Sequence, residues 1–314
     1  MMTSLLRKIA ISITACFAVG NTLAQEPAVK VSYKVNTNKS VTFDYVKTDP
    51  GSYTVAFKLS NLSNTYASDN TNLNASFYSG RLLTLEPTNK DQGIGFSYGY
   101  SYIRGKLKPK FNPDFIYTLP CKNGTKVKVF EVSFLNAMYF GNTTPEDWKV
   151  YRFCTPKEDT VTAIRKGIVV DIKDTQETNL GTGVEYSSRI NELTIEHADG
   201  TIATYKHFKK GSFTVKVGET VYPGTPLGIN VKYNANSMYG ATVMIMYLKS
   251  ADFDAAKSQN VQNSKSMYGF VTPHFCTAEG ADIILIPQKD YTAATTPELI
   301  KKEMSKKEQK LAAL

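Results

Sequence analysis

Short runs in which apolar and polar residues alternate recur along most of the chain, separated by Gly, Pro, Asn and Asp. The runs at 29–35, 40–46 and 52–62 are examples, and the turn Asp49-Pro50-Gly51 precedes the third. A period of two places successive side chains on opposite faces, as in a strand with one buried face. The pattern therefore predicts an all-β protein with mainly antiparallel sheets.

The distribution of these runs over 314 residues predicts two β-rich units. Residues 27–115 have the strand spacing of a small β-sandwich of the immunoglobulin-like kind. A second β unit is expected over 116–293. The charged segment 294–314 is predicted to be a helical tail that frays.

Residues 1–24 have the features of a signal peptide. Arg7 and Lys8 form a basic start, an apolar run follows, and small residues end at Ala24. We expect export to the periplasm or cell envelope with cleavage after Ala24, and a lipid-modified Cys16 is the less favoured alternative. The apolar run is shorter than the roughly 20 residues that span a bilayer, so no transmembrane segment is expected.

The charge of the chain is basic but dispersed. There are 37 Lys and Arg against 28 Asp and Glu, and loss of Arg7 and Lys8 with the leader reduces the net charge from +9 to +7. Because the excess is spread along the chain, it suits solubility or an anionic cell-wall polymer better than nucleic acid, which we do not expect as a partner.

Three cysteines remain beyond the leader, namely Cys121, Cys154 and Cys276. Their number is odd and their spacing does not suggest a metal cluster, so at most one disulfide is expected. The predicted pair is Cys121 with Cys154.

Two of the three histidines lie in the stretch HADGTIATYKHF, residues 197–208. This stretch predicts a β-hairpin, because Asp199-Gly200 supplies the positive φ angles that a tight two-residue turn needs. The hairpin would place His197 and His207 on paired strands.

Five motifs around this hairpin occur in a fixed order. They are TAIRKGIVV at 162–170, IEHADG at 195–200, TYKHF at 204–208, VKVGETV at 215–221 and GTPLG at 224–228. In this order they resemble the M23 family of zinc metallopeptidases, also called LytM or lysostaphin-like. The resemblance covers about residues 118–250 and implies a compact antiparallel β domain, of the duplicated hybrid motif type, with a groove.

The resemblance also implies a zinc site. In active members an early His, an Asp shortly after it and the second His of a late His-x-His motif hold zinc, while the His of Tyr-x-His-Leu and the first His of His-x-His assist catalysis. Three N or O ligands leave an open position, where zinc-bound water becomes a nucleophile near neutral pH.

Most of this set is missing here. Met244 and Met246 stand where His-x-His is expected, and Arg152 takes the position of the acidic ligand. The interval 130–149, where the early His belongs, contains no histidine. A thioether is a poor ligand for Zn²⁺ and cannot carry a proton, so we expect no cofactor although the family uses zinc.

Only His207 keeps a catalytic position of the family. His197 matches a position of the fold that is not a ligand, and we interpret it as a strand histidine beside the turn. Arg152, Met244, Met246 and Tyr205 are predicted to line the groove.

Two other chemistries remain as less favoured alternatives to simple packing. Met244, Met246, Cys154 and His207 could form a soft Cu(I) site, because thioether and thiolate ligands favour that ion. Cys154 and His207 could also form a nucleophilic pair.

The resulting hypothesis is an exported, catalytically inactive M23-like protein whose groove binds a cell-wall peptide or an envelope protein and regulates cell-wall hydrolysis. One alternative is an active zinc metalloendopeptidase that cleaves peptidoglycan with atypical ligands. Another is a structural or adhesive envelope protein in which residues 27–115 bind. The ligand and the oligomeric state are left open.

Overall fold

The computed structural model describes residues 26–132, 147–177, 190–233, 238–253 and 266–311. The predicted leader, with Ala24 and Cys16, and most of the interval expected to hold an early histidine lie outside these ranges. Within the described ranges, no helix is long and apolar enough to cross a membrane.

Strands dominate the described residues, and nearly all of them pair antiparallel, which confirms the predicted mainly antiparallel all-β class. The strands are β1 (Val29–Val35), β2 (Val41–Lys47), β3 (Tyr53–Ser63), β4 (Asn70–Ala75), β5 (Ser79–Leu85), β6 (Gly95–Arg104), β7 (Ile116–Thr118), β8 (Lys126–Glu131), β9 (Val150–Thr155), β10 (Thr160–Thr162), β11 (Gly167–Lys173), β12 (Glu192–Glu196), β13 (Ile202–Lys206), β14 (Thr220–Val221), β15 (Pro226–Ile229), β16 (Val231–Tyr233), β17 (Met238–Leu248), β18 (Tyr268–Phe270), β19 (His274–Thr277), β20 (Gly280–Ile283) and β21 (Asp290–Thr292). Two short helices follow, α1 (Pro297–Lys301) and α2 (Lys306–Leu311).

The N-terminal unit consists of two three-stranded antiparallel sheets, in the orders β1-β2-β5 and β4-β3-β6. The inward residues of both sheets share one apolar cluster, in which the Phe43 and Phe57 rings lie 4.9 Å apart in an edge-on contact. The alternation along β2 and β3 produces this cluster, because every second side chain points inward. This arrangement is a sandwich, and its immunoglobulin-like class stays a prediction.

The second unit is organised by a ten-stranded sheet with the order β14-β11-β12-β13-β17-β9-β8-β21, in which β16 and β18 also pair with β17. One face of this sheet forms the main core, with Tyr151, Phe153, Tyr205 and Val243 among its buried residues. Residues of β7, β10, β15 and β19 complete that core. The opposite face carries Arg152, Met244 and Met246, three of the four predicted groove residues.

A carboxylate joins the two units. Glu196, at the end of β12, accepts hydrogen bonds from the Ser52 backbone N–H at 2.8 Å and the Ser52 hydroxyl at 2.6 Å. Gly51 precedes this contact with φ of 80°, and a Cβ there would lie 2.6 Å from the Glu196 Oε2 atom. Glycine is therefore needed for the close approach.

The C-terminal segment is held against the second unit. The Arg165 guanidinium is 4% exposed and contacts Asp199 at 2.7 Å and Glu303 at 2.7 Å. Lys166 Nζ contacts the Glu308 carboxylate at 2.8 Å. Carboxylates that look like a solvated charge run in the sequence are paired with these cations, and the fraying of the tail stays a prediction.

The predicted disulfide is also wrong, because Cys121, Cys154 and Cys276 are buried free thiols. Cys121 belongs to the main core together with Phe153. Cys154 follows Phe153 along β9 and points to the other face of the sheet, where a Cβ at Gly240 would lie 3.1 Å from its sulfur. The sheet thus separates the two thiols.

Candidate functional site

The strand register brings polar side chains into a row across the open face of the large sheet. Arg152 of β9 is paired with Thr242 of β17, and Thr242 is paired with Lys206 of β13. The row continues to Glu192 on β12 and Lys173 on β11. Because side chains alternate along a strand, these five residues share one face. We call this surface the groove face.

A second row of side chains lies two residues from the first along the strands, and its members are apolar or carry a hydroxyl group. Val150, Met244, Thr204 and Thr194 are successive neighbours on β9, β17, β13 and β12. Met246 lies two residues farther along β17 and pairs with Phe270 of β18. Arg152, Met244 and Met246 are therefore brought to the same face.

Met244 is packed inside a small apolar cluster on the groove face. It is 6% exposed and lies among Val132, Val150 and Phe270, with Trp148 and Met246 packed against them. The Trp148 and Phe270 rings are 4.7 Å apart, and the Trp148 indole N–H donates to the Val132 carbonyl at 2.8 Å. The position that resembles the first His of the M23 family's late His-x-His motif, which assists catalysis in active members, thus carries out hydrophobic packing.

Arg152 places a permanent positive charge on this face. It is 8% exposed, and its Nε–H donates to the Thr242 hydroxyl at 3.2 Å. A guanidinium has no lone pair to offer a metal and repels a dication. The position aligned with an acidic ligand is therefore unsuited to zinc.

His207 lies just beyond the end of β13, in a left-handed backbone conformation with φ of 72°. Its backbone N–H donates to the Asn191 carbonyl at 3.1 Å. Burial, followed by the charges of Arg152 and Lys206, lowers the pKa of its imidazole to about 3, against a hydrogen bond with the Lys206 backbone that acts in the opposite direction. The ring is neutral near pH 7 and is a weak general base there, because its pKa lies far below the working pH.

Tyr205 lies on the opposite face of the sheet and does not line the groove. Its side chain is fully buried in the main core, and its hydroxyl accepts a hydrogen bond from the Ile164 N–H at 2.9 Å. Strand alternation explains this orientation. Thr204 and Lys206, which flank Tyr205, face the groove, so Tyr205 must face the core.

His197 is a buried residue at the base of the hairpin loop. Its Nδ1 atom lies 2.9 Å from the Thr201 hydroxyl, and among the described residues its Nε2 atom has no hydrogen-bond partner. Burial, with the nearby Arg165 charge, lowers the pKa of this imidazole. These contacts are those of a buried residue that stabilises the hairpin.

The hairpin itself differs from the predicted two-residue turn. The His197 N–H donates to the Thr201 carbonyl at 2.8 Å, so the loop has three residues, and only Gly200 of the Asp199-Gly200 pair has a positive φ, 88°. Asp199 instead accepts hydrogen bonds from the Thr201 N–H and hydroxyl. Both histidines consequently lie one residue beyond the paired strands.

The side chains available on this face do not fit zinc. In the part of the chain that the structure describes, no three His, Cys, Asp or Glu side chains are grouped so that they could hold a metal ion. The groove positions instead offer two thioethers and a guanidinium, which are poor or impossible Zn²⁺ ligands. The Cu(I) site and the Cys154–His207 pair stay predictions.

Trp148, Phe270, Lys206 and Glu192 belong to this site and were not expected from the sequence. Lys206 was missed because the sequence reading placed its neighbour Tyr205 in the groove, and alternation then puts Lys206 on the other face. Glu192 was missed because no groove position was predicted on β12. Trp148 and Phe270 carry no local signal, since they are 122 positions apart in the chain.

Comparison with protein-family profiles finds no match, and comparison with curated proteins finds no significant match. Among solved structures, the chain is similar to one of the SpoIIQ–SpoIIIAH pore-forming complex, with 17% identity over 43% of this chain and 85% of that chain, and a TM-score of 0.28. It is also similar to a Pseudomonas aeruginosa protein assigned as an M23 peptidase, with 11% identity over 69% and 87% of the two chains and a TM-score of 0.29. A zinc-containing peptidase from Vibrio cholerae matches with 12% identity over 69% and 75%, and a TM-score of 0.25. Because these TM-scores are low, the functional proposal is based on the five motifs and the geometry of the site.

Proposed function

We propose that this chain is an exported, M23-like protein without peptidase activity, which binds a cell-wall peptide or an envelope protein through its groove face and regulates cell-wall hydrolysis. The observation that carries this proposal is the packing of Met244, which is buried among Val150, Phe270 and Val132 at the position of the first, catalytic His of the late His-x-His motif. Met244 therefore stabilises the fold, and the groove face around it is the surface that we propose for binding.

The charges beside this cluster argue against hydrolysis. Zinc-dependent hydrolysis needs an acidic or imidazole ligand set that stabilises a dication and lowers the pKa of bound water. Arg152 adds a cation instead, and it helps to keep His207 neutral. A neutral ring with a pKa of about 3 cannot shuttle protons efficiently at neutral pH.

The same charges suit the binding of a peptide with a free carboxylate. The polar row contains Arg152, Lys206 and Lys173 against the single carboxylate of Glu192. Glu192 contacts Lys173 at 2.6 Å and Lys206 at 3.4 Å, so it neutralises only part of the positive charge. The adjacent threonine hydroxyls can donate to or accept from a peptide backbone.

Binding of soluble peptide fragments from purified peptidoglycan tests this proposal. Calorimetry would compare the wild type with Lys206→Glu, which reverses one groove charge, and with Lys34→Glu, which reverses an exposed charge on the sandwich. We expect the groove variant to bind at least about tenfold more weakly and the control to match the wild type. Equal binding by Lys206→Glu, or cleavage of the fragments by the wild type, would contradict the proposal.

A further inference from the structure

A second concave surface lies between the sandwich and the loop that follows β17. This cleft has a volume of about 660 Å³, and none of Arg152, Met244 or Lys206 lines it. Its floor is the outer face of the β4-β3-β6 sheet, and its opposite wall is formed by residues 107–108 and 249–253. Its volume lies within the range of roughly 300–1,000 Å³ that is usual for small-molecule sites.

Part of the floor of the cleft is made of small side chains. Ala56 of β3 is paired with Ser101 of β6, and Lys58 is paired with Gly99. A Cβ added to Gly99 would meet no atom within 4 Å, so there is open space directly above this glycine. At Ala56, Ser101 and Gly99 this strand surface has no bulky side chain and can accept the face of a ring-shaped ligand.

The walls and rim of the cleft are polar and positively charged. Lys58, Lys108 and Lys249 line it against the single carboxylate of Asp252. Lys249 lies 3.9 Å from Asp147, a residue outside the cleft lining. Lys58 and Lys108 have no ion-pair partner among the residues that the structure describes. The lining therefore has an excess of positive charge, to which the exposed Lys58 and Lys108 contribute.

Amide and hydroxyl groups lie between these charges. Asn70 and Asn72 on β4 pair with Lys58 and Ala56 on β3, and Ser101 lies on the other side. An asparagine amide both donates and accepts, which matches the vicinal hydroxyls of a sugar. The ammonium groups match carboxylates, and their attraction for an anion is strengthened by the concave shape.

We infer that this cleft binds a carboxylated oligosaccharide. Sugar rings can lie on the small residues of the floor, and the asparagine amides can form hydrogen bonds with the sugar hydroxyls. Lys58 and Lys108 can pair with the carboxylates. This inference does not depend on the groove face, and it assigns the N-terminal unit a binding role of its own.

The experiment fills the cleft by replacing Gly99 with a bulky residue. Gly99→Trp fills the cleft, whereas Gly93→Trp adds the same side chain at an exposed loop position that also has no atom within 4 Å of a built Cβ. Neither glycine has a positive φ, so neither substitution strains the backbone. Far-UV circular dichroism and the urea midpoint establish that both variants fold.

Calorimetry with oligogalacturonate as the probe measures binding. We expect the wild type and Gly93→Trp to bind alike, Gly99→Trp to bind at least tenfold more weakly, and the fully methyl-esterified probe to bind at least tenfold more weakly than the acid. Lys34→Glu, which reverses an exposed charge outside the cleft lining, should leave this binding unchanged. The inference is overturned by the absence of wild-type binding, by equal binding of Gly99→Trp or of the ester, or by preferential binding of polyglutamate.

Discussion

Replacement of Met244 by alanine tests whether the groove-face methionines are packing residues. Removal of a buried methionine side chain usually destabilises a protein by about 2–5 kcal/mol, through lost apolar burial and the cavity that remains. The cluster here is small, and its members Trp148 and Met246 are only partly buried, so neighbours can move into the space. We therefore expect Met244→Ala to lose about 2–3 kcal/mol. Met244→Leu conserves the volume and should lose less than about 1.5 kcal/mol.

Urea unfolding followed by tryptophan fluorescence is a direct assay of this cluster. Trp148 is the only tryptophan of the chain, and its ring lies 4.7 Å from that of Phe270. The expected order of stability is wild type, then Met244→Leu, then Met244→Ala, with addition of Cu(I) changing none of the midpoints. If leucine destabilised as much as alanine, or if Cu(I) stabilised only the wild type, the sulfur would be the functional part of Met244 and the packing account would be refuted.

Three further perturbations test the surrounding structure. First, burial depresses the pKa of His197, so the unfolded chain takes up a proton below about pH 6.5 and the folded chain does not. The stability contributed by the neutral ring is present above pH 6.5 and falls with acidification. When the pH is lowered from 7.5 to 5, the free energy of unfolding of His197→Gln should therefore decrease by about 2 kcal/mol less than that of the wild type, as measured by urea titration. Second, Arg165→Met leaves the carboxylates of Asp199 and Glu303 without their buried cation and should cost about 3 kcal/mol in the same assay, whereas Glu303→Gln should cost about 1 kcal/mol. Third, Glu196→Ala removes both hydrogen bonds to the Ser52 loop, and limited proteolysis should then cut between the two units faster than in the wild type.

Part of the arrangement of the groove face was predictable from the sequence. Alternation along β17 places Met244 and Met246 on one face, and the paired strand β9 adds Arg152 to it. Tyr205 was misplaced because one step along a strand moves a side chain to the opposite face. The same parity separates Cys154 from Cys121 and excludes their disulfide.

Long-range contacts account for what sequence patterns did not reveal. Arg165 and Glu303 are separated by 138 positions, so their ion pair has no local periodicity, and the tail reads as a free charged segment. Trp148 and Phe270 likewise come from strands and loops far apart in the chain. Such pairings depend on the order of strands in the sheet, which hydrophobic alternation does not specify.

The zinc content of the purified protein, measured together with peptidoglycan cleavage, tests the central claim most directly. After equilibration with zinc and removal of unbound metal, we expect far less than about one zinc per chain, no cleavage, and no difference between the wild type and His207→Ala. About one zinc per chain in the wild type, lost together with cleavage in His207→Ala, would contradict the account.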